Sequence, residues 1–268
     1  MYIWQNRVLV PENPSDLKVK IMGQPANKEL ALAVETSGRT GSVAVGIGDK
    51  ILGETTFSGV MTHSRELFLT AESLLKRIDR HISDLAHIYI AAGPGSFTGL
   101  RIAVTMAKMM ALAGGTKIVA ANTMDILTVN ASEYIKEKKI KILRLATILD
   151  AKRKQFYVGL YENNHGNWQK VTNDCLITAS DFVDRFAQPD NPIWLLGEGL
   201  VYYKDAFCAP GVHFLDADYW PARARAVYSV CRKKAKAGDF ADPAGLTPLY
   251  LRRPEATENW EKIHNPKK

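Results

Sequence analysis

An α/β fold in two similar lobes is what this sequence predicts, and three observations predict it. From Leu30 onward, short β-branched runs alternate with stretches whose apolar residues recur at helical spacing. The first three runs are parted only by turn residues, so a meander precedes the first helix. After Thr123 the same succession of strands and helices partly recurs. A chain of 268 residues is long enough for each lobe to bury a core of its own.

Taken in order, Leu30–Thr36, Ser42–Ile47 and Ile51–Phe57 read as antiparallel strands, with turns at Ser37-Gly38-Arg39 and Gly48-Asp49. Thr62 or Ser64 can cap a helix in which Leu67, Phe68, Ala71, Leu74, Leu75 and Ile78 form one apolar face. His87–Ala91 is the next strand. A glycine-rich turn follows, then an apolar helix from Gly99 to Ala113 and a strand over Lys117–Ala120. This β-β-β-α-β-α-β order is the layout of one lobe of the two-lobed actin-like (ASKHA, ribonuclease H-like) fold, with mixed five-stranded sheets, though order alone also describes other α/β sheets. In the second half, a helix from Thr123 to Lys136 precedes strands at Leu143–Leu149 and Phe156–Tyr161. Strands at Ile193–Leu196 and Val212–Leu215 then lead to a basic helix expected to open at Pro221, a favoured first helical residue. The expected division is an extension over 1–28, a first lobe over 29–121 and a second over 122–268, with its C-terminal helix free to return to the first lobe. Within 1–28, Pro11, Pro14 and Pro25 stand among polar residues, with Arg7–Val10 and Val19–Ile21 as short strand candidates. Met22 stands there as an alternative start.

Composition narrows the class. With 46% hydrophobic and 24% charged residues the chain reads as an ordinary globular protein. Its longest apolar run, near Ile102–Ala113, is broken by Lys108 and falls short of the roughly 20 residues a membrane-spanning helix needs. The start lacks the apolar core of a secretory signal, so a cytoplasmic protein is expected. Cys175, Cys208 and Cys231 fit neither a disulfide framework nor a zinc ribbon. The net charge of +7 is compatible with an acidic partner such as RNA, although basic runs are more often solvated faces.

Two places could carry chemistry. Glu35-Thr36-Ser37 ends the first strand before a tight turn, where a carboxylate could hold Mg²⁺ through water. Gly93, Gly95, Ser96, Thr98 and Gly99 form a turn with the shape of a phosphate cradle, and its hydroxyls could cap the following helix or reach a phosphate. The lysine of a P-loop is missing, and Arg101 lies inside the helix. The six histidines are scattered, and His63 has Leu67 four residues on, so no helical metal pair forms there. No Gly-x-Ser-x-Gly elbow supplies a nucleophile. The helix after Gly99 has almost no polar face. Ala103, Ala107 and Ala111 form a small-residue ridge, while Met106, Met109 and Met110 offer an adaptable surface. On the residues alone two readings stay open: an actin-like kinase of small molecules using Mg-ATP, or a nucleotide-fold protein whose helix recruits a partner.

Leu32-Ala-Val-Glu-Thr-Ser37, His63-Ser64, Gly93-Pro-Gly-Ser-Phe-Thr-Gly-Leu-Arg101, Asp150-Ala151 and Pro248-Leu-Tyr-Leu-Arg252 together resemble the TsaB (YeaZ) family over roughly Leu30–Arg253. The resemblance implies a non-catalytic subunit that pairs with the paralogue TsaD to make threonylcarbamoyladenosine in tRNAs reading codons that begin with A. TsaD-like proteins carry a metal-holding histidine pair that is absent here. The resemblance implies no cofactor in this subunit, with ATP and a metal ion on TsaD and the ATPase TsaE. Partners would be TsaD, TsaE, tRNA through the complex, and a second copy when alone. The family's dimer contact maps onto 63–79 and 99–113, which makes His63, Leu67, Leu74, Arg101, Met106, Met109 and Met110 the expected interface. Glu35, Ser37, Gly93, Gly95, Ser96, Thr98 and Gly99 would be a vestigial nucleotide site. Two features depart from the family: Glu35 stands where Asp is usual, and the extension over 1–28 is additional.

Overall fold

The computed structural model describes residues 29–58 and 63–250, so the strand candidates at 7–10 and 19–21 lie outside the described residues. Strands β1 (Leu30–Glu35), β2 (Thr40–Ile47) and β3 (Lys50–Ser58) form the antiparallel meander. The chain then crosses through helix α1 (His63–Lys76) to β4 (His87–Gly93), and through α2 (Phe97–Gly114) to β5 (Lys117–Asn122). Both crossovers return parallel strands on the far side of β1, giving the order β3-β2-β1-β4-β5. The period-two pleat divides this sheet. Leu30, Leu32 and Val34 pack on the side covered by α1 and α2, while Ala31, Ala33, Ala44, Ala91 and Ala121 line the other.

The second lobe opens with α3 (Thr123–Lys138), capped by the Asn122 side chain, which accepts from the Met124 amide at 2.7 Å. Then come β6 (Arg144–Asp150), β7 (Gln155–Asn164), β8 (Asn167–Lys170), β9 (Cys175–Thr178), α4 (Ala179–Phe186), β10 (Ile193–Leu196), α5 (Leu200–Tyr203), β11 (Val212–Phe214) and α6 (Ala224–Lys236). The order β11-β10-β6-β7-β8 repeats that of the first sheet, with β6 in the place of β1. Two mixed sheets of this order make the fold actin-like. The second sheet has six strands rather than the expected five, because β7 is long enough for two partners on one edge. β8 pairs with its end at Tyr161–Asn164, and β9 with its beginning at Gln155–Val158.

Helix α6 leaves the second lobe and lies on the alanine-lined face of the first sheet, where small side chains allow close approach. It starts at Ala224 rather than Pro221. Arg223 is extended, and the Pro221 and Tyr219 carbonyls accept from the buried Asn130 side chain at 2.8 and 2.9 Å. The first lobe satisfies the start of this helix: the Ala224 amide donates to Ser42 Oγ at 2.9 Å, and Tyr228 Oη donates to the Gly48 carbonyl at 2.9 Å. Further along, Arg232 pairs with Glu29 at 3.1 Å and Asp49 at 3.3 Å. Ser42→Ala removes a buried acceptor and is expected to lower stability by about 1 to 2 kcal/mol in urea unfolding.

Candidate functional site

Adjacent parallel strands deliver their C-terminal turns side by side, which is why the turn after β1 meets the glycine-rich turn after β4. The Ser96 amide donates to the Ser37 carbonyl at 2.7 Å, and Thr36 Oγ1 donates to the Gly99 carbonyl at 2.8 Å. A β-carbon at Gly99 would lie 1.9 Å from the Thr36 carbonyl oxygen, and one at Gly95 would lie 2.5 Å from that of Ser37. These glycines let two stretches of the chain's own backbone touch. Ser96 takes the capping role, accepting from the Gly99 amide at 3.3 Å, and Thr98 is exposed on the first turn of α2. The chain after α6 returns to this place: the Leu249 amide donates to the Ala92 carbonyl at 2.7 Å, and the Tyr250 ring stands 5.3 Å from that of Phe97.

Glu35 is fully buried, and its Oε1 accepts from the amide and the hydroxyl of Ser37, each at 2.5 Å. Burial pushes its carboxyl up to about 7, against the pull of the Ser37 hydrogen bonds; the charge of Glu198 adds to the rise. Oε2 is buried without a hydrogen-bond partner. Glu35, Ser37, Gly95, Ser96 and Gly99 thus come together, with Thr98 apart from them and Gly93 facing Leu249 and Leu100 instead. Two residues not expected from the sequence join the cluster: Glu198, which accepts from the Arg39 amide at 2.8 Å, and Tyr202, whose ring lies 4.2 Å beneath the Arg39 guanidinium. A signal was present: Gly197-Glu198-Gly199 follows a strand, as a tight turn carrying one carboxylate would.

This cluster does not fit a nucleotide phosphate. The amides of Ser37 and Arg39, which would face an anion, already donate to carboxylates, and the glycines close on backbone rather than on open space. Among the described residues no group of three or more His, Cys, Asp or Glu stands close enough to hold a metal ion.

The second candidate surface is the outer face of the first lobe, where α1 covers β2 and β3 while α2 covers β4. Four of the expected contacts are corrected by their burial. Leu67, Leu74, Met106 and Met110 point into the lobe's own core, because the apolar stripe of each helix is what holds it on the sheet. Met109 is exposed, and so is Leu112, at 83%. Leu69 and Phe68 are exposed on α1. Arg101 is exposed but engaged within the chain, its guanidinium 3.7 Å over the Phe97 ring and its Nε donating to Tyr250 Oη at 3.1 Å. His63 opens α1, and its side chain lies outside the described residues.

Fold and site define an actin-like protein of two lobes whose phosphate-type turns are closed on themselves and whose outer helices leave apolar side chains uncovered. Known proteins agree with that class. A family model described as TsaD, tRNA N6-adenosine threonylcarbamoyltransferase, matches residues 50–205. The tRNA threonylcarbamoyladenosine biosynthesis protein TsaB of Bacillus subtilis (strain 168) is 30% identical over 233 residues, which is 85% of this chain and 96% of that protein. TsaB of Escherichia coli (strain K12) is 20% identical, over 75% of this chain and 84% of that one. The solved structure of YeaZ from Pseudomonas aeruginosa superposes with a TM-score of 0.69 at 24% identity, covering 83% of this chain and 100% of that one. The chain belongs to the TsaB family.

Proposed function

We propose that this chain is a non-catalytic accessory subunit in the biosynthesis of threonylcarbamoyladenosine in tRNA, and that it pairs with a TsaD protein through the outer face of α1 and α2. Membership of the TsaB family supports the pathway. The observation that carries the pairing is the exposure of four large apolar side chains on these two helices, Met109 and Leu112 on α2 and Leu69 and Phe68 on α1, which gain from being covered. Arg101, stacked on Phe97, would border the contact. The chemistry then belongs to the partners: ATP and a metal ion act on TsaD and TsaE, tRNA is reached through the complex, and the cytoplasm is the working place. The same face would join two copies when TsaD is missing. The self-closed turns give no support to the kinase reading.

The test is co-purification with the TsaD of its own organism. Met109→Glu combined with Leu112→Glu is expected to weaken binding about 100-fold while leaving the urea midpoint unchanged, because both side chains already face solvent. Undiminished binding by that double variant would overturn the proposed face. Met106→Glu is not equivalent, since it places an unpaired charge in the core.

A further inference from the structure

We propose that Glu198 is a built-in ligand of the turn after β1: its carboxylate takes the backbone amide that a small anion would otherwise take, and the contact clasps the second lobe to the first. The seat is made of backbone. In the turn Ser37-Gly38-Arg39 the Ser37 amide is taken by Glu35, and the Arg39 amide donates to Glu198 Oε2 at 2.8 Å. A β-carbon at Gly38 would lie 2.6 Å from the same Oε2, so the bare glycine leaves the space that the carboxylate fills. A carboxylate oxygen on the Arg39 amide stands where an oxygen of a bound anion could be received.

The mount is rigid on the second-lobe side. The Gly199 amide donates to the Ile148 carbonyl at 3.0 Å, and a β-carbon at Gly197 would lie 2.2 Å from the same oxygen, so both flanks of Glu198 are pressed onto the end of β6. A second contact joins the same two segments, the Arg39 guanidinium over the ring of Tyr202 in α5. Electrostatics agree. Burial pushes the Glu198 carboxyl up, and the Arg39 amide and guanidinium draw it back toward the charged form. The acid facing it, Glu35, is raised toward neutrality, which eases the approach of a second carboxylate. The clasp stands apart from α3 and α6, which join the lobes through their helical faces, and it does not depend on which partner the outer helices bind.

Site-resolved amide hydrogen exchange on the full chain tests it. Glu198→Ala is expected to speed exchange at the Arg39 amide about ten-fold or more, with Val34 and Ile90 in the neighbouring strands unchanged. Gly38→Ala, which pushes the carboxylate off without removing it, is expected to do the same. Glu198→Gln keeps an acceptor oxygen and is expected to retain most of the protection. Inorganic pyrophosphate, titrated by calorimetry, is expected to bind Glu198→Ala and not the unaltered chain. Unchanged exchange at Arg39 in Glu198→Ala would overturn the clasp, and so would an equal loss of protection through the whole first lobe. Failure of Glu198→Ala to take up pyrophosphate would overturn the anion seat.

Discussion

Gly99→Ala is expected to destabilise the protein by about 3 kcal/mol or more, read as a fall in the urea midpoint. The added methyl would stand 1.9 Å from the Thr36 carbonyl oxygen, well inside van der Waals contact. Neither side can easily yield. Thr36 is the residue after β1 and is tied to the Gly99 carbonyl through its hydroxyl, while the next carbonyl, that of Ser37, holds the Ser96 amide. The clash would therefore spread into two adjacent strands. Gly114→Ala is the matched control, because its nearest neighbour is Thr116 Oγ1 at 3.7 Å. At that helical position the substitution is expected to be neutral or to stabilise by about 0.5 kcal/mol. Equal midpoints for the two variants would show that the glycine turn is not packed as described.

Glu35→Gln is expected to flatten the pH dependence of stability. The Glu35 carboxyl is raised from 4.5 to about 7 by burial, so the native state holds its proton more tightly than the unfolded chain does. The stabilisation from that proton is complete below about pH 4.5 and is lost as pH rises through about 7, a swing of about 3 kcal/mol. Buried Glu54 and half-buried Glu198 are raised as well and slope the same way, so the unaltered chain should lose more than Glu35 alone explains. Glutamine keeps the oxygen that Ser37 donates to and has no proton to lose. Urea unfolding at pH 5 and pH 8 compares the two chains, and parallel losses would mean that Glu35 is not held neutral in the fold.

Much of this fold was legible because the signals were local. The meander, the crossover helices and the parallel strands follow from alternation and from helical spacing in runs such as Leu30–Val34 and Leu67–Ile78. Elements were missed where the signal was short or polar. β8 is Asn-Trp-Gln-Lys, with little to mark it as a strand. α4 has eight residues, yet Thr178 followed by Asp181 was a readable cap, and the Thr178 hydroxyl does accept from the Asp181 amide at 3.1 Å. The site was only half legible. Glu35 and the glycine turn announce themselves through residue type, but their use depends on Glu198, remote in the chain and brought near only by the packing of one lobe on the other. The outer face shows the same limit. Periodicity located the apolar helices, but it could not separate Met106, which the sheet covers, from Met109, which it leaves bare.

The position of α6 also constrains how the protein is made. Ala31, Ala33, Ala44 and Ala91 belong to strands of the first lobe, yet the helix that covers them ends at Lys236. During synthesis from the N-terminus, the first sheet must wait with one face bare until almost the whole chain has left the ribosome. Cutting the gene between the lobes would therefore leave the first half with that face open to water, its shield encoded on the other fragment.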